Sequence, residues 1–296
     1  MLAGQLPRLA FHPHILSSNA TALVPVDALG IAQHDFAFTD GRHVLLGRFM
    51  DRDLKTVWQT NFPHEIALTG AMDLTGDGID EVCLAAADST GAEAFALDAN
   101  GRVALTLGPV RGHSVRRGYP WDGKIDIVAT LRREGRLMAV CRVHAAFALQ
   151  PRGIALYDLA TRRRVWFFPM GAYPVNVSVA DLNADGVPEI LVGTAAPANG
   201  ASLNGTDDEH CYAIALDASG QRLWQVPVGG YFSNTAVLAL PPAQGVAPLV
   251  VVTSSSARAK NPEPGRLLLL DGATGRVLAR REFSAGVGAP RALGEV

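Results

Sequence analysis

The sequence is poor in cysteine, in cationic excess and in long apolar runs, and each shortage removes a class of protein. Cys83, Cys141 and Cys211 stand far apart among 296 residues. An odd number at wide spacing is no disulfide framework. Cys83 and Cys141 sit inside apolar runs and are expected as buried thiols, with a single disulfide left open. No Cys-x-x-Cys or His-Glu-x-x-His spacing occurs, so zinc lacks its usual ligand sets. No Gly-x-Ser-x-Gly elbow marks Ser254, Ser255 or Ser256 as a nucleophile, and these serines are expected in a loop. The net charge of −2 removes the electrostatic case for nucleic acid. No apolar run approaches the roughly 18 residues of a membrane span, so no direct membrane insertion of this segment is expected. Residues 1–25 carry Arg8, His12 and His14 within their apolar stretches. They lack the basic start and continuous apolar core of a signal peptide. His12 and His14 flank a proline and read as a polar leading segment more simply than as metal ligands.

What the chain has is turn chemistry. Its 30 glycines and 18 prolines, with 48% hydrophobic residues, suit many short strands around a large core. The stretch Asp181-Leu-Asn-Ala-Asp-Gly-Val-Pro-Glu189 places Asp181, Asn183, Asp185 and Glu189 at positions 1, 3, 5 and 9, with Gly186 at position 6. Alternate oxygen-bearing side chains on a sharply turning backbone are what a hard cation such as calcium needs. A degenerate copy runs from Asp73 to Glu81, with Thr75 at position 3, Asp77 at position 5 and Ile79 at position 7. An EF-hand needs glutamate at position 12 and flanking helices. Position 12 is Leu84 in one copy and Val192 in the other. The apolar, β-branched runs after each loop read as buried strands. These are strand–loop–strand calcium loops.

A second signature recurs independently: an apolar residue, usually Leu-Asp, turn residues, Gly or a substitute, then a strand that often carries Trp. Its aspartates are Asp51, Asp98, Asp158, Asp217 and Asp271. Aspartate followed by glycine suits a hairpin in which glycine supplies positive φ. Five copies at roughly 50–60-residue spacing imply one four-stranded unit per copy. Each unit runs inner strand, calcium-type turn, second strand, longer connection, third strand, Leu-Asp turn, outer strand. Such a sheet has two apolar faces and cannot fold alone, and radial stacking buries both. The expected fold is therefore an all-β propeller of about five to six four-stranded blades in one domain over residues 1–296. Blades are expected at 27–62, 63–110, 111–170, 171–229 and 230–284, with both terminal segments free to close the ring or leave it incomplete. Trp121–Asp126 and Leu240–Pro248 read as blade turns whose cation ligands have decayed. Trp58, Trp166 and Trp224 occupy equivalent places and are expected to pack between blades. Arg162, Arg163 and Arg164 are expected on a solvated turn.

At the level of the repeat, the chain resembles the FG-GAP/VCBS family, whose best-known members are the propellers of integrin α subunits. The loops at 73–81 and 181–189, each followed by a strand, carry the resemblance. It implies calcium held by Asp181, Asn183, Asp185, the Val187 carbonyl and Glu189. In the other copy the ligands are Asp73, Asp77, the Ile79 carbonyl and Glu81. Thr75 departs from the usual Asp or Asn, which implies a weaker first site, and one or two structural ions in all. Clean Phe-Gly and Gly-Ala-Pro elements are missing. The Leu-Asp hairpins also look like the blade turns of quinoprotein-type propellers. Residues 193–233 resemble the extracytoplasmic propeller segments of some bacterial membrane-anchored signalling proteins.

The insertion Pro197–His210 exceeds what a turn needs and contains Asn204, Asp207, Asp208 and His210. It reads either as a ligand or partner surface or as a solvated loop whose removal spares the fold. The overall reading is a non-catalytic calcium-binding propeller acting as a ligand-binding, sensory or protein-interaction module. Its partner is a protein, a carbohydrate or a small molecule. Loops of this charge and exposure imply affinities on the order of 10⁻⁵–10⁻³ M, so they fill only outside the cytosol, in a periplasmic or extracellular setting. The missing signal peptide and the abrupt ending at Val296 then suggest an excised domain or a trimmed mature form. A propeller enzyme, such as a polysaccharide lyase or a quinone-dependent dehydrogenase, is the competing class. A structural adhesion module is the third.

Overall fold

Period-two alternation of small turns and apolar runs yields strands throughout the residues that the computed structural model describes. These are 22–28, 35–50, 53–87, 91–112, 123–145, 150–240, 247–256, 263–284, 287 and 289–290. The first antiparallel sheet runs in the order β1 (Ala22–Val26), β2 (Asp35–Thr39), β3 (His43–Met50), β4 (Asp53–Asn61). The second comprises β5 (Ile66–Met72), β6 (Glu81–Ala87), β7 (Ala92–Leu97) and β8 (Val103–Val110). The third holds β9 (Lys124–Arg133), β10 (Arg136–His144), β11 (Gly153–Asp158) and β12 (Arg163–Pro169). The fourth begins with β13 (Tyr173–Ala180) and β14 (Glu189–Ala195). The small hairpin β15 (Ser202–Leu203) and β16 (Thr206–Asp207) follows, then β17 (Cys211–Leu216) and β18 (Arg222–Gly229). The fifth contains β19 (Ser233–Leu240), β20 (Leu249–Ser256), β21 (Gly265–Asp271) and β22 (Val277–Phe283). One bridge, Ala195 to Asn234, joins the fourth and fifth sheets.

Each sheet is a blade of the expected strand order, with three differences. The first blade starts at Ala22, because β1 pairs with β2 along its whole length; the boundary at 27 omitted a strand. In the third blade the turn between inner and second strands is Glu134-Gly135, where both residues have positive φ. Lys124, Ile125 and Asp126 lie within β9, so Trp121–Asp126 does not supply that turn; Trp121 itself lies outside the described residues. Ser254, Ser255 and Ser256 end strand β20 and pair with β19, instead of forming a loop. His12, His14, Asp51 and the two chain ends also lie outside the described residues.

By its contacts the chain divides into two compact units, residues 1–86 with 94–106 and residues 87–93 with 107–296. In the first, Val26, Ala37, Val44, Leu46, Ile66, Val82 and Leu84 form one core between the first two blades. In the second, the parity of single strands feeds two cores. Ile190, Val192, Ile214 and Leu216 face Val140, Ile154 and Leu156 of the third blade. Leu191, Ala213, Ala215 and Trp224 face Val237, Val250, Val252 and Leu268 of the fifth. Strand β14 is buried at every residue for this reason, and its continuous apolar run has both faces covered. The outer strand β22 is exposed along almost all its length.

The recurring Trp and Gly lock neighbouring blades. A Cβ built on Gly101 would lie 2.7 Å from the Trp58 ring, and one on Gly220 or Gly275 2.7 Å from Trp166 or Trp224. In each pair the Trp ends one blade and the Gly belongs to the hairpin of the next. The indole of Trp166 donates to Ala218 O at 3.1 Å and that of Trp224 to Gly272 O at 2.7 Å. The blade-packing role expected for these tryptophans follows. All three cysteines are buried and outside any disulfide.

Candidate functional site

Both nine-residue loops join the inner strand of a blade to its second strand, and both close on themselves in the same way. The position-2 amide donates to the position-9 glutamate at 2.7 Å in each, Leu74 to Glu81 and Leu182 to Glu189. The position-6 glycine amide donates to the position-1 aspartate at 2.9 Å in each, Gly78 to Asp73 and Gly186 to Asp181. The position-7 amide reaches the position-5 aspartate, from Ile79 to Asp77 at 2.9 Å and from Val187 to Asp185 at 2.7 Å. Gly78 and Gly186 share a φ of +84°, which glycine adopts without steric cost. Backbone N–H donors hold the Asp181 and Asp73 carboxyls below the usual range; at Asp73 they outweigh an opposing effect of burial. Burial, reinforced by nearby aspartates, pushes Glu189 and Glu81 up.

The loops differ at position 3. The Asn183 amide NH₂ stands 2.9 Å from Asp185 Oδ2 and 3.2 Å from Glu189 Oε1. These two carboxylates thus converge on one neutral amide, which donates to both. Thr75 instead contacts Asp73 at 3.5 Å. Among the described residues no three His, Cys, Asp or Glu side chains gather closely enough to hold a metal unaided. The loops would need their amide, hydroxyl and carbonyl oxygens as well, and an oxygen-rich set of that kind fits calcium.

The insertion 197–210 is organised around a charge. Asp208 is 0% exposed and pairs at 3.0 Å with Arg152, also 0% exposed. The Asp208 carboxylate accepts the Asn199, Gly200 and Ala201 amides. Arg152 also donates to Ala145 O and Gly171 O. Asp208 therefore does not belong to a ligand surface, and the insertion is no detachable loop. Asn204 is exposed but donates to Pro169 O and accepts from Arg222 through its carbonyl. Asp207 caps the Glu209 and His210 amides and contacts His210 Nδ1 at 2.8 Å. Burial pushes the Asp207 carboxyl up, but hydrogen bonds from His210 and Tyr212 outweigh it and hold the carboxyl low.

A further site was not legible in the sequence. Tyr173, Ala195 and Asn234 form one row across β13, β14 and β19. The small central residue leaves a gap, and an apolar pocket of about 250 Å³ lies there, flanked by Pro197 and Phe232. The Tyr173 hydroxyl is 2.7 Å from His144 Nδ1, and His144 Nε2 is 2.9 Å from Asp126. Asp126 also accepts from Arg142. In the neutral tautomer that carries its proton on Nε2, the ring would donate to the carboxylate and accept from the tyrosine. Residues 126, 144 and 173 come from three segments with no common spacing, which is why no motif announced them.

No family model matches the chain, and no curated protein sequence matches it. Solved structures do. Rhamnogalacturonan lyase PL11 of Bacillus licheniformis is 16% identical over 91% of this chain and 52% of its own, with a TM-score of 0.55. The dihydro-heme d1 dehydrogenase NirN in complex with DHE is 11% identical over 86% of this chain and 46% of its own, at 0.54. The V. cholerae biofilm matrix protein Bap1 is 17% identical over 90% and 40%, at 0.51. The chain spans about half the length of these proteins or less. Likeness at such identity concerns the fold alone. Together with the five four-stranded sheets, it establishes an all-β chain of the β-propeller class.

Proposed function

We propose that this chain is a calcium-pinned propeller module of the FG-GAP/VCBS type, serving outside the cytosol as a ligand-binding or sensory part and not as a catalyst. The observation that carries this reading is the shared closure of the two loops, with Glu81 and Glu189 crowded by their own aspartates. Asp181, Asn183, Asp185, Glu189 and the Val187 carbonyl would hold one ion. Asp73, Thr75, Asp77, Glu81 and the Ile79 carbonyl would hold a weaker second. Bound calcium neutralises the carboxylates and ties each inner strand to its partner. Among the described residues no helix is long and apolar enough to cross a membrane. The extracytoplasmic assignment rests on the weak affinity expected of such loops.

Thermal melts in excess calcium and in chelator test this reading. Calcium should raise the melting temperature, because a ligand of the folded state alone stabilises it. Asp185→Ala should lose more of that rise than Asp77→Ala. Coincident melts in the two conditions would remove calcium from the proposal. A second reading, a propeller enzyme, is favoured by the Tyr173–His144–Asp126 chain beside an apolar pocket, and its mark would be turnover abolished by Tyr173→Phe in a folded protein.

A further inference from the structure

The connection between β18 and β19 holds an aromatic residue in a conformation suited to glycine. Gly230, Tyr231, Phe232 and Ser233 form a four-residue turn in which the Ser233 amide donates to Gly230 O at 3.1 Å. Phe232 is the third residue of the turn and has a φ of +55°. Glycine or asparagine suits that place, because a larger side chain crowds the backbone there. Among the described residues no other aromatic side chain stands at positive φ. The turn is pinned to the end of β14. The Phe232 amide donates to Ala196 O at 2.8 Å, and the Ala196 amide to Ser233 O at 2.9 Å. Burial does not account for the strain, since Phe232 is 48% exposed. Strain of this kind gathers at ligand clamps, where the placement of one side chain matters more than its comfort.

Phe232 lines the pocket of about 250 Å³ that also touches Tyr173, Val175, Ala195 and Pro197. Tyr173 is a fixed wall of it. Its hydroxyl is held by His144, whose ring meets it edge-on at 5.3 Å, and the Arg152 guanidinium lies 5.6 Å from its centroid. None of the lining side chains is charged, and the exposed Asn234 amide is among them. We infer that this pocket binds a small uncharged aromatic molecule, a single ring carrying a hydroxyl group. An apolar cavity of about 150 Å³ accepts benzene, so this one has room for a ring and a substituent. Two aromatic side chains in the lining favour an aromatic guest through offset or edge-on contacts. A charged group would lose its water there without gaining a partner. A sugar would leave most of its hydroxyls unpaired against so apolar a wall. One hydroxyl can be met by the Asn234 amide, which both donates and accepts. The inference deepens the ligand-binding reading and rests on it. It does not depend on calcium, whose loop lies at the other end of β13.

Calorimetric titration of the whole chain with p-cresol tests the site, with glucose and p-hydroxybenzoate as controls. The expected result is saturable binding of p-cresol at one site and of neither control at the same concentrations. Phe232→Gly should bind p-cresol at least about tenfold more weakly. Its ligand-free melting curve should match that of the native chain, because glycine adopts the turn without strain. Ala195→Leu should fill the pocket and abolish binding; if that variant does not fold, Phe232→Gly decides alone. Asp185→Ala should bind p-cresol as the native chain does. No binding of p-cresol by the native chain, equal binding of either control, or unaltered binding by Phe232→Gly would overturn the inference. A lowered melt of Phe232→Gly with binding intact would assign the ring to packing and do the same. Tighter binding of N-acetyltyrosinamide than of p-cresol would replace the free small molecule with a peptide side chain. Saturable p-cresol binding by a chain whose melt ignores calcium would support the pocket and remove the calcium reading alone.

Discussion

Asp208 and Arg152 show how much one residue's setting decides. Both are charged and both lie wholly inside the protein. Removing one partner of such a pair leaves an uncompensated buried charge, which typically costs about 3–5 kcal/mol. Urea unfolding of Asp208→Ala should show a loss of that order. A double variant, Arg152→Met with Asp208→Leu, should recover a large part of it, because the charge is removed with its partner. The aspartate also orders three amides of the insertion, so its loss should loosen residues 199–201 first. In the sequence, Asp208 stands among other polar residues of a long insertion, as a surface residue would. Its partner lies 56 positions away, and no local pattern couples the two.

At the scale of the element, the Trp–Gly pair is the repeating device, and its glycine has two separable reasons. Gly220 has a φ of +85° and a Trp166 ring within 2.7 Å of any added Cβ. Gly135 has a φ of +76° with nothing within 4 Å. Replacing Gly135 with alanine should cost only the left-handed backbone penalty, about 1–2 kcal/mol. Gly220→Ala should cost about 1 kcal/mol more, for the clash with the indole. Chemical denaturation of the two variants, side by side, separates conformation from contact. Equal losses would mean that the ring moves aside freely. Arg162 stands in the corresponding hairpin at a φ of +58°, so the turn geometry persists there without glycine. A similar economy of means joins the fourth and fifth blades. Gly193 lets the Thr235 carbonyl approach within 2.5 Å of where a Cβ would stand, and Asn176 accepts the Val237 amide at 2.8 Å.

For the molecule as a whole, charge placement sets the response to acid. Asp126 is buried, which alone pushes its carboxyl up, but His144 and Arg142 outweigh this and hold it below the ordinary value. A carboxyl lowered by folding stabilises the native state above the unfolded pKa, near 4. That stability is lost as pH falls through the folded value, since the unfolded chain takes up the proton first. Stability should therefore fall below about pH 4. Asp126→Asn should reduce the difference between unfolding free energies at neutral pH and in acid. An unchanged difference would mean that Asp126 contributes no acid sensitivity. Glu81 and Glu189 act in the opposite sense, because their raised values retain the proton in the folded state. Their ionisation at neutral pH is a cost, which bound calcium would offset.

The sequence by itself determined the blade. Leu-Asp turns, glycine at positive φ and apolar runs of alternating parity are local properties, and each acts through the few residues around it. They placed most of the strands and the packing tryptophans. They failed where the decisive partner is remote. The first strand of the first blade has only five residues and no turn signature of its own, so only its pairing with β2 reveals it. Asp126 resembles a remnant cation ligand until β9 and β10 pair and bring Arg142 and His144 to it. Asp208 becomes interior only because Arg152 meets it. Local chemistry fixes what a segment can form. Burial and long-range pairing decide which charged groups are left facing solvent.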